Sequence, residues 1–88
     1  MIQAERTPNP QSLKFTAADG QFADGVVAIS SQKEISRHPL GQPLFALDGV
    51  VDVFITPEFV TVSKDPAVEW SNLKADVEDT LADYLDGQ

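Results

Sequence analysis

Gly49-Val50-Val51-Asp52-Val53-Phe54-Ile55-Thr56-Pro57-Glu58-Phe59-Val60-Thr61-Val62-Ser63-Lys64 is two β-branched and aromatic runs around a turn. Such side chains suit a pleated, half-buried surface, whereas Thr-Pro-Glu interrupts ladder pairing, so the stretch predicts a β-hairpin. Strict alternation along its first strand puts Val51, Val53 and Ile55 on one face and Phe54 on the other. At least one of Phe54 and Phe59 is therefore expected to be exposed.

Downstream, Trp70, Leu73, Val77, Leu81, Tyr84 and Leu85 recur at helical spacing and predict an amphipathic helix over about residues 70–86. Trp70 begins its apolar face and reads as core or core edge. Asp76, Asp79, Asp83 and Asp86 follow at steps of three, four and three, which places them in one acidic stripe on the opposite side.

Upstream, Ser12–Ala17 alternates cleanly, with Leu13, Phe15 and Ala17 on one face, and predicts a half-buried strand. Ile2–Thr7 reads as a thinner strand stopped by Pro8 and Pro10. Residues 19–25 read as a loop anchored by Phe22, and residues 26–30 as a short strand or extended segment. Residues 32–47 hold one or two short helical pieces, because Pro39 and Pro43 are tolerated only in a first turn. These elements predict an α+β fold, a two-layer sandwich of about four strands with helices on one face in ββαββα-like order. No repeat or linker divides it, so residues 1–88 are expected to form a single domain.

The 88 residues carry 6 Lys and Arg, 14 Asp and Glu, one His and no Cys. A chain this short buries only about 60% of its unfolded surface and has room for one core. Without Cys, disulfides, thiolate cluster ligation and Cys-based zinc sites are excluded. Charges cancel up to Leu47, whereas from Asp48 onward ten acids face only Lys64 and Lys74, leaving the whole net charge of −8 in that half. This sign argues against nucleic acid and against anionic membrane surfaces. No apolar stretch approaches the roughly 18 residues of a membrane span, and the start lacks a signal-peptide core. The expected location is cytoplasmic.

The run Thr7-Pro8-Asn9-Pro10-Gln11-Ser12-Leu13-Lys14-Phe15 resembles the opening of the N-terminal domain of the Nfu/NifU-like iron-sulfur scaffold proteins. Gly49 to Phe54 with Phe59 to Lys64 resembles that domain's hairpin, and Glu69-Trp70-Ser71-Asn72-Leu73-Lys74 falls where the family begins its last helix. Pro39-Leu40 to Leu44-Phe45 fits the helical segment between them. Pro43 inside that segment, and His38 where a capping Ser is usual, depart from the pattern.

In the family a separate C-terminal domain holds the cluster through a Cys-x-x-Cys pair, which this chain lacks. The resemblance therefore implies a stand-alone accessory domain in iron-sulfur cluster assembly or transfer, without enzymatic activity and with no cofactor of its own. Its implied partners are proteins of that pathway, including a Cys-x-x-Cys scaffold domain.

Two stretches are candidate partner-binding sites. Thr7, Pro8, Asn9 and Pro10 form either a recognition loop, with two fixed φ angles and an Asn amide to offer, or a rigid connection setting the register of the first two strands. Asp76, Asp79, Asp83 and Asp86 form either a dock for a basic surface or a solvated helix face. Acids in a last helical turn oppose the helix dipole, so the stripe is not explained by helix stability, whereas adaptation to high salt would also explain it. An alternative function follows from the stripe: an acidic adaptor or inhibitor that binds a basic surface of an unrelated protein through the C-terminal helix.

Catalysis finds no footing. His38 has neither Cys nor a second His to complete a metal site, and beside Pro39 it reads as a helix-start residue. Gly20, Gly25, Gly41 and Gly49 are too scattered to cradle phosphate. Nothing sets one carboxylate of the stripe apart as a proton donor.

Overall fold

A computed structural model describes residues 2–18 and 20–87 of the chain. Its elements run β1 (Ile2–Arg6), β2 (Ser12–Ala17), β3 (Val27–Ile29), a 3₁₀ segment (Gln32–Arg37), α1 (Gly41–Phe45), β4 (Val50–Ile55), β5 (Phe59–Lys64) and α2 (Trp70–Asp86). The strands form one antiparallel sheet in the order β1-β2-β5-β4-β3. The α+β class and the two-layer arrangement are as the sequence predicts, but the strand count is corrected from about four to five. The fifth is β3, which falls within the segment 26–30 read as a short strand or extended; pairing of Val27 to Ile55 and Ile29 to Val53 makes it a strand of the sheet. Of the expected loop at residues 19–25, Asp19 lies outside the described residues.

The hairpin turn is locked by one side chain. Thr56 Oγ1 accepts from the N–H groups of Glu58 (3.3 Å) and Phe59 (3.0 Å), and the Thr56 N–H donates to the Phe59 carbonyl at 2.8 Å. The predicted facing of β4 needs one correction. Val50 pairs with Lys64 and Asp52 with Ser63, so Val51 is the extra residue of a β-bulge. The bulge shifts the phase of alternation: Val50, Val53 and Ile55 are buried, whereas Val51 is 46% exposed.

Phe15, Val53, Ile55, Val60 and Val62 supply the covered face of the sheet, and Leu73, Val77 and Leu81 of α2 close over it with Leu40 and Leu44. Phe22 is buried as the anchor of its loop. The prolines behave as their chemistry requires: Pro39 lies before α1 and Pro43 within its first turn. Gly41 opens α1 because its backbone sits against that of Ile35, where a Cβ would collide with the Ile35 carbonyl oxygen. Gly49 takes φ +99°, a left-handed conformation that lets the chain turn from α1 into β4.

Among the described residues no helix covers the other sheet face. It presents Ser12, Lys14 and Thr16 of β2, Phe59 and Thr61 of β5, and Phe54 of β4, which is 40% exposed. The Phe54 and Phe59 rings lie 6.4 Å apart, and Lys14 Nζ sits 4.6 Å from the Phe59 centroid, a cation–π contact that covers part of that ring.

Candidate functional site

The turn at Thr7–Pro10 is shaped by its own hydrogen bonds. The Asn9 N–H donates to Thr7 Oγ1 at 3.2 Å, and Asn9 Oδ1 accepts from the Gln11 N–H at 2.9 Å, an Asx turn. The Asn9 carbonyl takes the Ser12 N–H at 3.0 Å. Both fixed φ angles and the local bonds are in place before any partner arrives, while Pro8, Asn9 and Pro10 stay exposed.

Beneath the turn, the sheet and α2 hold it by a set of contacts that sequence reading does not reveal. Trp70 Nε1–H donates to the Pro10 carbonyl at 3.2 Å, and the Trp70 ring stands edge-on to Phe15 with centroids 6.3 Å apart. Lys64, 6% exposed, donates from Nζ to Gln11 Oε1 at 2.8 Å and lies 5.9 Å from the Trp70 ring centre. The one available signal is the alternation of β5, which puts Lys64 on the same inward face as Val60 and Val62.

All four stripe carboxylates are exposed on α2, as their spacing requires. Among the described residues none of them is ion-paired; the two surface ion pairs are Arg37–Glu34 and Lys74–Glu78. The turn and the stripe do not merge into one site. Asp76 lies six residues beyond Trp70, about 9 Å along the helix axis, and the other three acids are farther still. Within the stripe the environments differ: Asp83 borders a depression between α1 and α2 and Asp76 one between residues 46–48 and the start of α2, whereas Asp79 and Asp86 line neither.

His38 is a structural residue. It is buried, its Nε2–H donates to the Phe22 carbonyl at 2.7 Å, and its Nδ1 accepts the Leu40 N–H at 3.0 Å. A carbonyl only accepts and an amide only donates, so the two partners fix one neutral tautomer and leave no ring nitrogen for a ligand. Among the described residues no group of three or more His, Cys, Asp or Glu side chains is arranged to hold a metal. No helix among them is long and apolar enough to cross a membrane.

Residues 2–88 match the model of the family described as scaffold protein Nfu/NifU N terminal. The chain belongs to this Nfu/NifU N-terminal family. Among its relatives, the Arabidopsis thaliana NifU-like protein 5, mitochondrial, is 39% identical over 88 residues, covering 99% of this chain and 32% of that protein. The human NFU1 iron-sulfur cluster scaffold homolog, mitochondrial, is 36% identical over 85 residues, covering 96% of this chain and 34% of its own length. This Nfu N-terminal chain thus spans about a third of the curated relatives it matches.

A solution structure of the NifU-like protein from Saccharomyces cerevisiae superposes with a TM-score of 0.87 at 29% identity, covering all of this chain and 80% of that one. Staphylococcus aureus SAV1430, at 19% identity and a TM-score of 0.73 over 90% of this chain and 94% of that one, shares the fold. The expected cytoplasmic location is corrected by the relatives, since the Arabidopsis and human proteins are labelled mitochondrial. Net charge and the lack of a spanning helix bear on partners and membranes; they do not distinguish one aqueous compartment from another.

Proposed function

We propose that residues 1–88 act as one non-catalytic protein-interaction module in iron-sulfur cluster assembly or transfer, docking a cluster-carrying or cluster-receiving protein without ligating the cluster itself. The observation that carries this reading is family membership in a chain that has no Cys. Iron in a cluster needs soft or imidazole donors; the sole His has both ring nitrogens engaged, and carboxylates strewn along a solvated helix suit hard cations instead. The cluster is cargo for a partner, a Cys-x-x-Cys scaffold domain being the natural candidate.

Pull-down with the chain at low salt is expected to recover cluster-assembly proteins or cluster-containing enzymes. Recovery of neither sinks the proposal. The purified chain is expected to stay colourless after reconstitution with iron and sulfide, and stoichiometric metal and sulfide on this chain alone would overturn the claim about ligation.

The unpaired stripe on α2 favours a second reading, an acidic adaptor or inhibitor acting on a basic surface of an unrelated protein. It predicts binding that collapses when Asp76, Asp79, Asp83 and Asp86 all become Asn, whereas docking through Thr7–Pro10 survives that change.

A further inference from the structure

α1 has five residues and α2 seventeen, so the shorter helix cannot cover the flank of the longer one. What remains beside it is a furrow. A depression of ≈ 330 Å³ lies between α1 and α2, and another of ≈ 480 Å³, between residues 21–24, His38 and Tyr84, adjoins it through Pro39 and Tyr84, which line both. A third begins one helical turn earlier, at Asp76, four residues before Thr80 of the first. The accessible walls are apolar: Pro39, Pro43 and Tyr84 on one stretch, Leu47 and Val68 on the other, with Leu40 and Leu73 buried beneath them.

The rim has one sign. Among the described residues Asp24, Asp48, Asp76 and Asp83 line these depressions, and no Lys or Arg does. By contrast, the depression at the Thr7–Pro10 turn includes Arg6 and no acid. An apolar floor between carboxylates is complementary to a segment that offers apolar side chains flanked by Lys or Arg. A second copy of this chain is a poor occupant, because at a net charge of −8 it would bring like charges to the rim.

We propose that the furrow between α1 and α2 is a docking groove for a basic amphipathic helix of a partner protein. The partner's apolar side chains would lie on Pro39, Pro43 and Tyr84, and its cations beside Asp76 and Asp83. This deepens the interaction-module reading by assigning it a surface, and it divides the stripe: Asp76 and Asp83 belong to the groove, Asp79 and Asp86 to solvent.

The test uses the full isotope-labelled chain and a synthetic helical peptide of about 14 residues, with Leu at i, i+3, i+4 and i+7 and Lys elsewhere, plus a control with every Leu replaced by Ser. At physiological salt, amide shift changes are expected to concentrate on α1 and on Thr80 to Tyr84. D76N/D83N is expected to weaken binding about 10-fold, whereas the equally charged D79N/D86N stays within about 2-fold. Thr80→Arg, which fills the groove without entering the core, is expected to abolish binding while leaving the circular dichroism spectrum unchanged.

Several outcomes overturn the groove: equal binding of the Ser control, shifts centred on Thr7–Pro10 or on Phe54 and Phe59, equal effects of the two double variants, self-association of the chain that Thr80→Arg blocks, or no binding at about 1 mM peptide. Its failure is separable from that of the pathway reading. If Thr80→Arg recovers the same cluster-assembly proteins as the parent chain, the groove falls and the pathway stands; if the peptide results hold and no such protein is recovered, the pathway falls and the groove stands.

Discussion

Trp70 and Pro10, separated by 60 positions in the chain, are joined by an indole N–H to carbonyl hydrogen bond of 3.2 Å. Through it the first residue of α2 holds the β1–β2 turn, so the exposed Pro-Asn-Pro segment is tied to the start of a helix. Trp70→Phe keeps a ring against Phe15 but removes the donor. The expected loss is about 1 kcal/mol in urea unfolding, with faster amide exchange at Gln11 and Ser12. Unchanged exchange at those two amides would show that the turn stands on its local bonds alone.

Among the described residues Lys64 is a buried cation with no carboxylate partner: its ammonium meets Gln11 Oε1, the Asp65 carbonyl at 3.4 Å and the Trp70 ring. Neutral dipoles offset the desolvation of a charge less well than an ion of opposite sign. Lys64→Met keeps the aliphatic stem and frees the domain of that cost, so stability is expected to hold or rise by about 1 kcal/mol. Lys64→Ala, which also loses the stem, is expected to destabilise by about 2 kcal/mol. A loss above about 2 kcal/mol for Lys64→Met would mean that the ammonium itself is needed to seat the turn.

His38 satisfies two backbone groups on different segments, the Phe22 carbonyl and the Leu40 N–H, and packs 5.5 Å from the Tyr84 ring. His38→Ala leaves both partners short of water in a buried place and is expected to cost about 3 kcal/mol at neutral pH. Retained stability in chemical denaturation would contradict the structural role assigned to this residue.

The bulge at Val51 yields a paired prediction. Val53→Ala opens a cavity at a fully buried position and is expected to cost about 2 kcal/mol, whereas Val51→Thr changes an exposed side chain and is expected to stay within about 0.5 kcal/mol. Strict alternation predicts similar costs for the two, so their comparison by thermal unfolding tests the register directly.

How far these features can be read from sequence follows from the range of the forces involved. The α2 bounds and the hairpin are legible because an apolar period repeats over several turns or across both arms of a turn. β3 is legible only as a short strand or extended segment over residues 26–30, since three residues set no period and pairing with β4 decides that they join the sheet. The bulge is invisible: Val50-Val51 offers the same apolar identity in either phase, and the choice is made by the partner strand. The Thr7–Pro10 turn and the acidic spacing are legible as local patterns, but the contacts that give them meaning are not. Lys64 reaching Gln11, and α1 proving too short to cover α2, depend on which elements the fold brings together.

Asp76, Asp79, Asp83 and Asp86 repel one another at steps of three and four on one helix, and those in the final turn oppose the dipole, with no basic residue in that turn to offset them. Substituting all four with Asn removes both penalties; Asn is a comparably poor helix former, so propensity contributes little. At low salt Tm is expected to rise by about 3 °C, and the gain is expected to vanish near 1 M salt, where the Debye length falls to about 3 Å. A gain that survives high salt would trace to altered helix propensity or packing, and a loss would mean that the carboxylates make stabilising contacts on α2. The sign matters for function: a stripe that destabilises its own helix is retained for something outside the fold, and a stripe that stabilises it needs no partner to explain it.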